Sequence, residues 1–270
     1  MQSFSETQMT VKNDRVVLCM RWGNEFPPAY VNVLHNACKK AITGSFRFVC
    51  LTDDPSGIDQ SIETYPIPDI RCRPAHWHSG AWPKLSVFRR DLYGLAGRAL
   101  FIDLDTLVVG NIDSLFKKNG DFIAVGGGKN WRRGKINSNP TANTSVFAFT
   151  LGEQSQIQES FTSDPDKAVH DYINEQDFAQ KHATSWRPWP NEWVVSYKRH
   201  LRAPIFVDRV IKPSKPSDDV KIVAFHGSPR PLDVVVSGKY NYEKFPRYGK
   251  GPISWVREYW LENGWEEDEQ

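Results

Sequence analysis

The chain has 270 residues, of which 40% are hydrophobic and 24% charged, and a formal net charge of +2. A chain of this size buries roughly three quarters of its unfolded surface, so it needs no disulfide or metal staple to fold. The small net charge argues against nucleic acid or an anionic membrane as the main partner, and any anionic ligand has to be held by local charges.

Residues 1–13 are polar, lack the apolar segment of a signal peptide, and are expected to form a flexible end. Arg15-Val16-Val17-Leu18-Cys19-Met20 reads as a buried strand. Residues 31–41 follow as a helix, with Val31, Leu34, His35 and Cys38 at helical spacing. Residues 46–51 form a second strand, closed by the turn Thr52-Asp53-Asp54-Pro55. A short strand is expected at 64–67, a helix at 84–92, and a strand at 99–102 that ends in acid. Asn111 can cap a short helix running to Phe116. Strands are expected at 122–125 and 145–149, helices from about Leu151 and Tyr172, a last buried strand at 222–225 and a closing helix at 253–261. Strands alternating with helices predict one α/β domain over 14–262, with a mainly parallel central sheet and helices on both faces. Residues 263–270 are expected to be a flexible end.

Cys19, Cys38, Cys50 and Cys72 lack a metal-type spacing. Read as reduced thiols, they favour a cytoplasmic protein. No apolar run approaches the roughly 20 residues that span a bilayer, so a soluble chain is expected, with at most a peripheral contact at the inner membrane face. The aromatic and basic stretch 240–250 reads first as a packed tail and second as a contact for a lipid acceptor or membrane. The ten tryptophans read first as packing and second as platforms for sugar or base faces.

The most informative residues are Phe101-Ile102-Asp103-Leu104-Asp105-Thr106. In extended chain, side chains two apart share one side, and the apolar run places the acids at the carboxyl end of a buried strand. That edge is where open α/β sheets bind ligands. Two neighbouring carboxylates repel unless a proton or cation intervenes, and oxygen ligands suit Mn²⁺ or Mg²⁺. A nucleotide-sugar donor explains the metal, because a cation stabilises the departing diphosphate. Haloacid-dehalogenase-type phosphatases also carry Asp-x-Asp after an apolar strand. That motif opens their fold and continues Gly-Thr, whereas here a strand-helix-strand unit comes first and Thr106 follows directly.

The stretch from Phe101 to Phe116, with Asp103-Leu104-Asp105-Thr106 and then Asn111-Ile112-Asp113-Ser114-Leu115-Phe116, resembles retaining glycosyltransferases of the glycogenin and lipopolysaccharide-galactosyltransferase type. Trp82-Pro83-Lys84-Leu85 resembles the family helix that delivers a lysine toward the donor. Asn143-Thr144-Ser145-Val146 resembles its strand beside the sugar, and Glu175-Gln176-Asp177-Phe178 its Asp-Gln motif. Phe225-His226-Gly227-Ser228-Pro229-Arg230-Pro231 resembles its closing His-containing segment. The resemblance spans about residues 14–231 and implies a GT-A fold, a UDP-sugar donor, Mn²⁺ and retention of anomeric configuration. Its partners would be a nucleotide sugar and a carbohydrate or glycolipid acceptor.

The resemblance assigns Asp103, Asp105 and His226 to the metal, and Gln176 and Lys84 to catalysis. Donor binding falls to Lys84, Asp103, Asn143, Glu175, Gly227 and Arg230, and, from their place after the first two strands, to Trp22, Gly23 and Asp53, although Arg21-Trp22-Gly23-Asn24 differs from the family's Asn-Asp-containing nucleotide loop. Ala224 stands where the family's metal-binding His is found, with His226 two positions later on the same strand side. Glu175 replaces the usual Asp, and Arg230 the usual Lys. Each residue also has a simpler reading. Lys84 can be a packed surface lysine, Asn143 a strand cap, Gln176 an exposed helix residue, Trp22 and Gly23 loop packing, and Asp53 with Asp54 plain turn residues. His76 and His78 are assigned no metal. A catalytically silent sugar-nucleotide or glycan-binding protein on the same fold is the alternative from another class.

Overall fold

The computed structural model describes residues 15–235, 249 and 251–267. β1 (Arg15–Arg21) leads through Pro27 and Pro28 into α1 (Ala29–Ala41), then β2 (Arg47–Thr52) and β3 (Glu63–Tyr65). Next come β4 (Arg98–Ile102), β5 (Thr106–Val108), α2 (Asp113–Lys117), β6 (Phe122–Gly127) and β7 (Thr141–Thr150). α3 (Ser155–Ser163), α4 (Pro165–Asp171) and α5 (Glu175–His182) precede β8 (Trp186–Pro188). β9 (Val194–Ser196), β10 (Ile222–Ala224) and α6 (Ser254–Glu262) complete the chain.

Seven strands form the central sheet in the order β3-β2-β1-β4-β7-β6-β8, and a smaller sheet has the order β5-β10-β9. β1 pairs in parallel with β2 and β4, β2 with β3, and β6 with β8. Among the described residues of the central sheet, β7 alone runs against its neighbours, β4 and β6; in the smaller sheet β10 is antiparallel to β5 and parallel to β9. The predicted α/β architecture with a mainly parallel sheet is therefore observed.

The two faces follow from the strand period of two. Val17 and Cys19 of β1, with Leu100 and Ile102 of β4, face α1 and α6. Val16, Leu18, Ala99 and Phe101 face the opposite way, onto α3 and α5. There Phe101 stacks on Phe147 at 4.8 Å, and Phe147 lies 5.5 Å from Phe88. Each such buried ring contributes about 1.5–3 kcal/mol by transfer from water. The end of β4 is thus held from both sides.

Three local expectations need correction. The predicted helix at 84–92 is a 3₁₀ helix, Trp82–Phe88, in which all seven residues are buried. A segment covered on every side has no polar face, and the tighter 3₁₀ winding is found in such short pieces. The N-cap position of α2 is Ile112, one residue later than expected, and its side chain makes no cap; Asn111 Oδ1 still accepts from the first-turn amide of Asp113 at 3.1 Å. Beyond α6 the chain stays packed, with Trp265 only 4% exposed and edge-on to Trp260, so residues 263–265 are not a loose end. The stretch 240–250 lies outside the described residues except for Gly249. Among the described residues, no helix is long and apolar enough to cross a membrane.

Candidate active site

β4 stops at Ile102, and the next residues turn. The Asp103 amide donates to Ser145 O at 2.8 Å, and the Thr106 hydroxyl donates to Asp103 O at 2.7 Å. Leu104, between the acids, is buried. Asp103 and Asp105 therefore share a side because a turn closed by Thr106 puts Leu104 inward, and not because the chain is extended there. Both acids line a cleft of about 210 Å³ with Trp22, Lys84, Gly227 and Arg230. Glu25, Phe26, His78 and Ala81 line it too, and sequence reasoning assigned none of these.

Lys84 is the centre of the charge arrangement. Its ammonium meets both carboxylate oxygens of Asp103, at 2.8 and 2.9 Å, and Glu175 Oε1 at 3.4 Å. It also donates to Thr144 O at 3.3 Å. The Thr144 hydroxyl donates to Glu175. Burial opposes the Lys84 charge, but Asp103 and Glu175 more than offset this and hold its pKa above the usual value. Burial raises Asp103 and Glu175, with Lys84 pulling both back. Among the described residues, Asp105 has no such direct partner. Burial, and then the charge of Asp103, push it up to about 8.

Beside Glu175, the Asn143 amide donates to Gln176 Oε1 at 3.2 Å, and Asn143 Oδ1 accepts from the Ser145 hydroxyl at 2.6 Å. Among the described residues, no acceptor meets the Gln176 amide nitrogen. Glu175 itself is placed by its backbone amide, which donates to Gly80 O at 2.9 Å. A Cβ on Gly80, whose φ is +91°, would come within 2.8 Å of Trp82 Nε1 and 3.2 Å of the Cα of Asn174, the N-cap of α5. Only glycine lets the loop carrying His78 and Ala81 approach α5 so closely.

The nucleotide-side loop follows β1. Gly23 has a φ of +60° and donates its amide to Asp53 Oδ2 at 3.0 Å. Asp53 thus shapes the loop and does not itself line the cleft. Buried Arg21 staples the same loop through Phe26 O at 2.8 Å and Asp54 O at 2.7 Å. Across the cleft, Arg230 donates to Glu25 O at 2.9 Å, pairs with the Glu25 carboxylate, and lies over the Phe26 ring at 4.6 Å.

His226 does not join the acids. Its backbone is close to them, since the preceding Phe225 amide donates to Asp105 O at 2.9 Å. Its ring turns away: Nε2 is 2.7 Å from Ser196 Oγ, and the ring packs 5.5 Å from Trp131. Burial, then the cations Lys198 and Arg199, push it down to about 4. Among the described residues, no three His, Cys, Asp or Glu side chains converge. The expected grouping of His226 with Asp103 and Asp105 is therefore not observed: the imidazole is held by Ser196 and Trp131 instead.

No protein-family model and no curated protein matches the sequence. Solved structures do match. The chain is similar to the galactosyltransferase LgtC in complex with donor and acceptor sugar analogues, at 12% identity and a TM-score of 0.56, over 92% of this chain and 94% of that one. It is similar to the bifunctional glycosyltransferase WbbM at 13% identity and a TM-score of 0.58, over 94% of this chain and 50% of that one. It is also similar to the glycosyltransferase GlyE of Streptococcus pneumoniae TIGR4, at 11% identity and a TM-score of 0.56, over 92% of this chain and 60% of that one. At these identities the likeness is one of fold: the α/β sheet is arranged as in GT-A glycosyltransferases.

Proposed function

We propose that this protein is a retaining glycosyltransferase that moves a sugar from a nucleotide-diphosphate donor, of the UDP type, to a carbohydrate or glycolipid acceptor. The observation that carries this reading is the cluster Lys84–Asp103–Glu175 beside Asp105, set at the carboxyl edge of a GT-A sheet. Open α/β sheets bind ligands at that edge, and the solved structures of like fold are glycosyltransferases.

Asp103 and Asp105 fit a hard cation: they are two carboxylates facing one cleft, and the second is driven up by its burial and by the charge of the first. Mn²⁺ or Mg²⁺ there would supply Lewis-acid stabilisation of the leaving diphosphate. Lys84 adds a preorganised positive charge that needs no rearrangement during the reaction. Gln176 and Asn143 offer amide groups to orient sugar hydroxyls. Arg230, at the cleft wall, is suited to phosphate oxygens through its planar fork. Glu175 is occupied by Lys84 and Thr144, so it makes a poor covalent nucleophile. Same-face attack assisted by the leaving phosphate then accounts for retention.

The test is incubation with a panel of UDP-sugars and Mn²⁺, reading free UDP with and without saccharide acceptors, and then the anomeric configuration of the product. Donor binding without UDP release, for every donor and acceptor, would instead identify a silent sugar-nucleotide-binding protein.

A further inference from the structure

The chain from Phe122 to Gly152 contains no Asp or Glu, yet it carries Lys129, Arg132, Arg133 and Lys135 within the β6–β7 loop. This loop is not a loose arm. Trp131 is 4% exposed, and its indole nitrogen donates to Val194 O at 3.4 Å. Arg199 Nη1 donates to Gly128 O at 2.7 Å, and the Arg133 amide donates to Arg199 O at 3.2 Å. The turn after β9 thereby adds Lys198 and Arg199 to the same face. Lys129, Arg132, Arg133, Lys135 and Arg199 are exposed, and none of these five pairs with a carboxylate among the described residues. A pinned, acid-free group of cations costs self-repulsion, which an anionic ligand would relieve.

Its place in the fold says which ligand. β6 runs in the same direction as β4, because each is antiparallel to β7. The basic loop therefore leaves the sheet at the edge where Asp103 sits. It stands two strands from β4, about 10 Å along the sheet, on the side away from β1 and the Trp22–Gly23 loop. Lys198 Nζ donates to Ser228 O at 3.0 Å, next to Gly227 of the cleft wall. The order along the edge is the Trp22–Gly23 loop, the acids, then the cations.

We propose that this basic shelf binds the acceptor, and that the acceptor is a saccharide carrying phosphate or carboxylate groups. The inference rests on the glycosyltransferase reading and assigns the acceptor class that reading leaves open. The donor diphosphate is served by Lys84 and Arg230 within the cleft, so the shelf is a separate positive surface for the second substrate.

Calorimetric titration tests it with a hexose phosphate, an oligouronate, a neutral oligosaccharide, a DNA oligonucleotide and phosphatidylglycerol vesicles. The same titrations are run on an Arg132→Ser/Arg133→Ser/Lys135→Ser variant, whose exposed changes stay within about 0.5 kcal/mol in stability. The expected result is binding of the charged saccharides at least about tenfold tighter than the neutral one, weakened by added salt and lost in the variant, with UDP-sugar affinity unchanged. Equal binding of neutral and charged saccharides, or an unaltered variant, overturns the proposal. So does binding of DNA or vesicles without binding of the soluble charged sugars. A wild type that binds charged sugars and no UDP-sugar retains the shelf as an anion site but removes its acceptor role, and points the failure at the functional reading.

Discussion

The Lys84 ammonium touches both oxygens of the Asp103 carboxylate while buried on its other side against Glu175. One cation is thus shared by two acids, and the side chains of Lys84 and Glu175 are each only 7% exposed. Replacing Lys84 with Met preserves much of the volume and removes the charge. Breaking a buried pair in this way costs about 3 kcal/mol, because the partner charges are left uncompensated. Denaturant unfolding of Lys84→Met is expected to show a loss of that order, together with loss of UDP-sugar binding. Wild-type stability in this variant would show that the cluster is not a linked unit.

Asp105→Asn is expected to separate stability from function. The Asp105 carboxyl is pushed up to about 8, against about 3.9 in an unfolded chain. The folded state therefore holds the proton more tightly, and the native acid loses stability as pH rises from about 4 to about 8. Asn escapes that loss. The variant should melt higher than wild type at pH 8, with the difference vanishing near pH 4, while its Mn²⁺-dependent donor affinity falls by about a hundredfold. Lower melting at pH 8 with donor affinity retained would contradict both halves.

Much of this site was legible because apolar runs announce buried strands. Ala99 to Ile102 had to be interior, so Asp103 had to sit at a strand end, and the Asp-x-Asp-Thr order did the rest. Partners that are distant in the chain were not legible. Nothing near Lys84 signals that Glu175 returns to it through α5, or that Arg230 reaches Glu25. β5, β8 and β9 have three residues each, too few to display a period of two. The displacement of His226 depends on Ser196 and Trp131, neither of which carries a motif.

The Arg230–Glu25 contact spans the cleft wall from the β10 side to the β1 loop. If Arg230 serves donor phosphates, Glu25 competes with them for it. Exposed pairs of this kind are worth up to about 1 kcal/mol. Glu25→Gln is therefore expected to tighten UDP-sugar binding about two- to fivefold, and Arg230→Ala to weaken it. Titration with the nucleotide sugar checks both signs, and weaker binding in Glu25→Gln would assign Glu25 to the ligand instead.

His200 and His226 flank Trp131, with ring centroids 5.6 and 5.5 Å away. His200 Nδ1 accepts from the Ser196 amide at 3.0 Å, while the Ser196 hydroxyl meets His226 Nε2. Burial pushes both imidazoles down to about 4, from about 6.5 in an unfolded chain. Between these values the unfolded chain takes up more protons, so the stability from this pocket is complete above about pH 6.5 and lost as pH falls toward 4. Protonation would also replace the acceptor at His200 Nδ1 with a donor facing the Ser196 N–H. Thermal melts from neutral to acid pH should fall steeply across this window. They should fall less in a His200→Gln/His226→Gln variant, whose amides do not titrate and whose side-chain oxygens still accept hydrogen bonds. Equal slopes for the variant and the wild type would place the acid sensitivity elsewhere in the molecule.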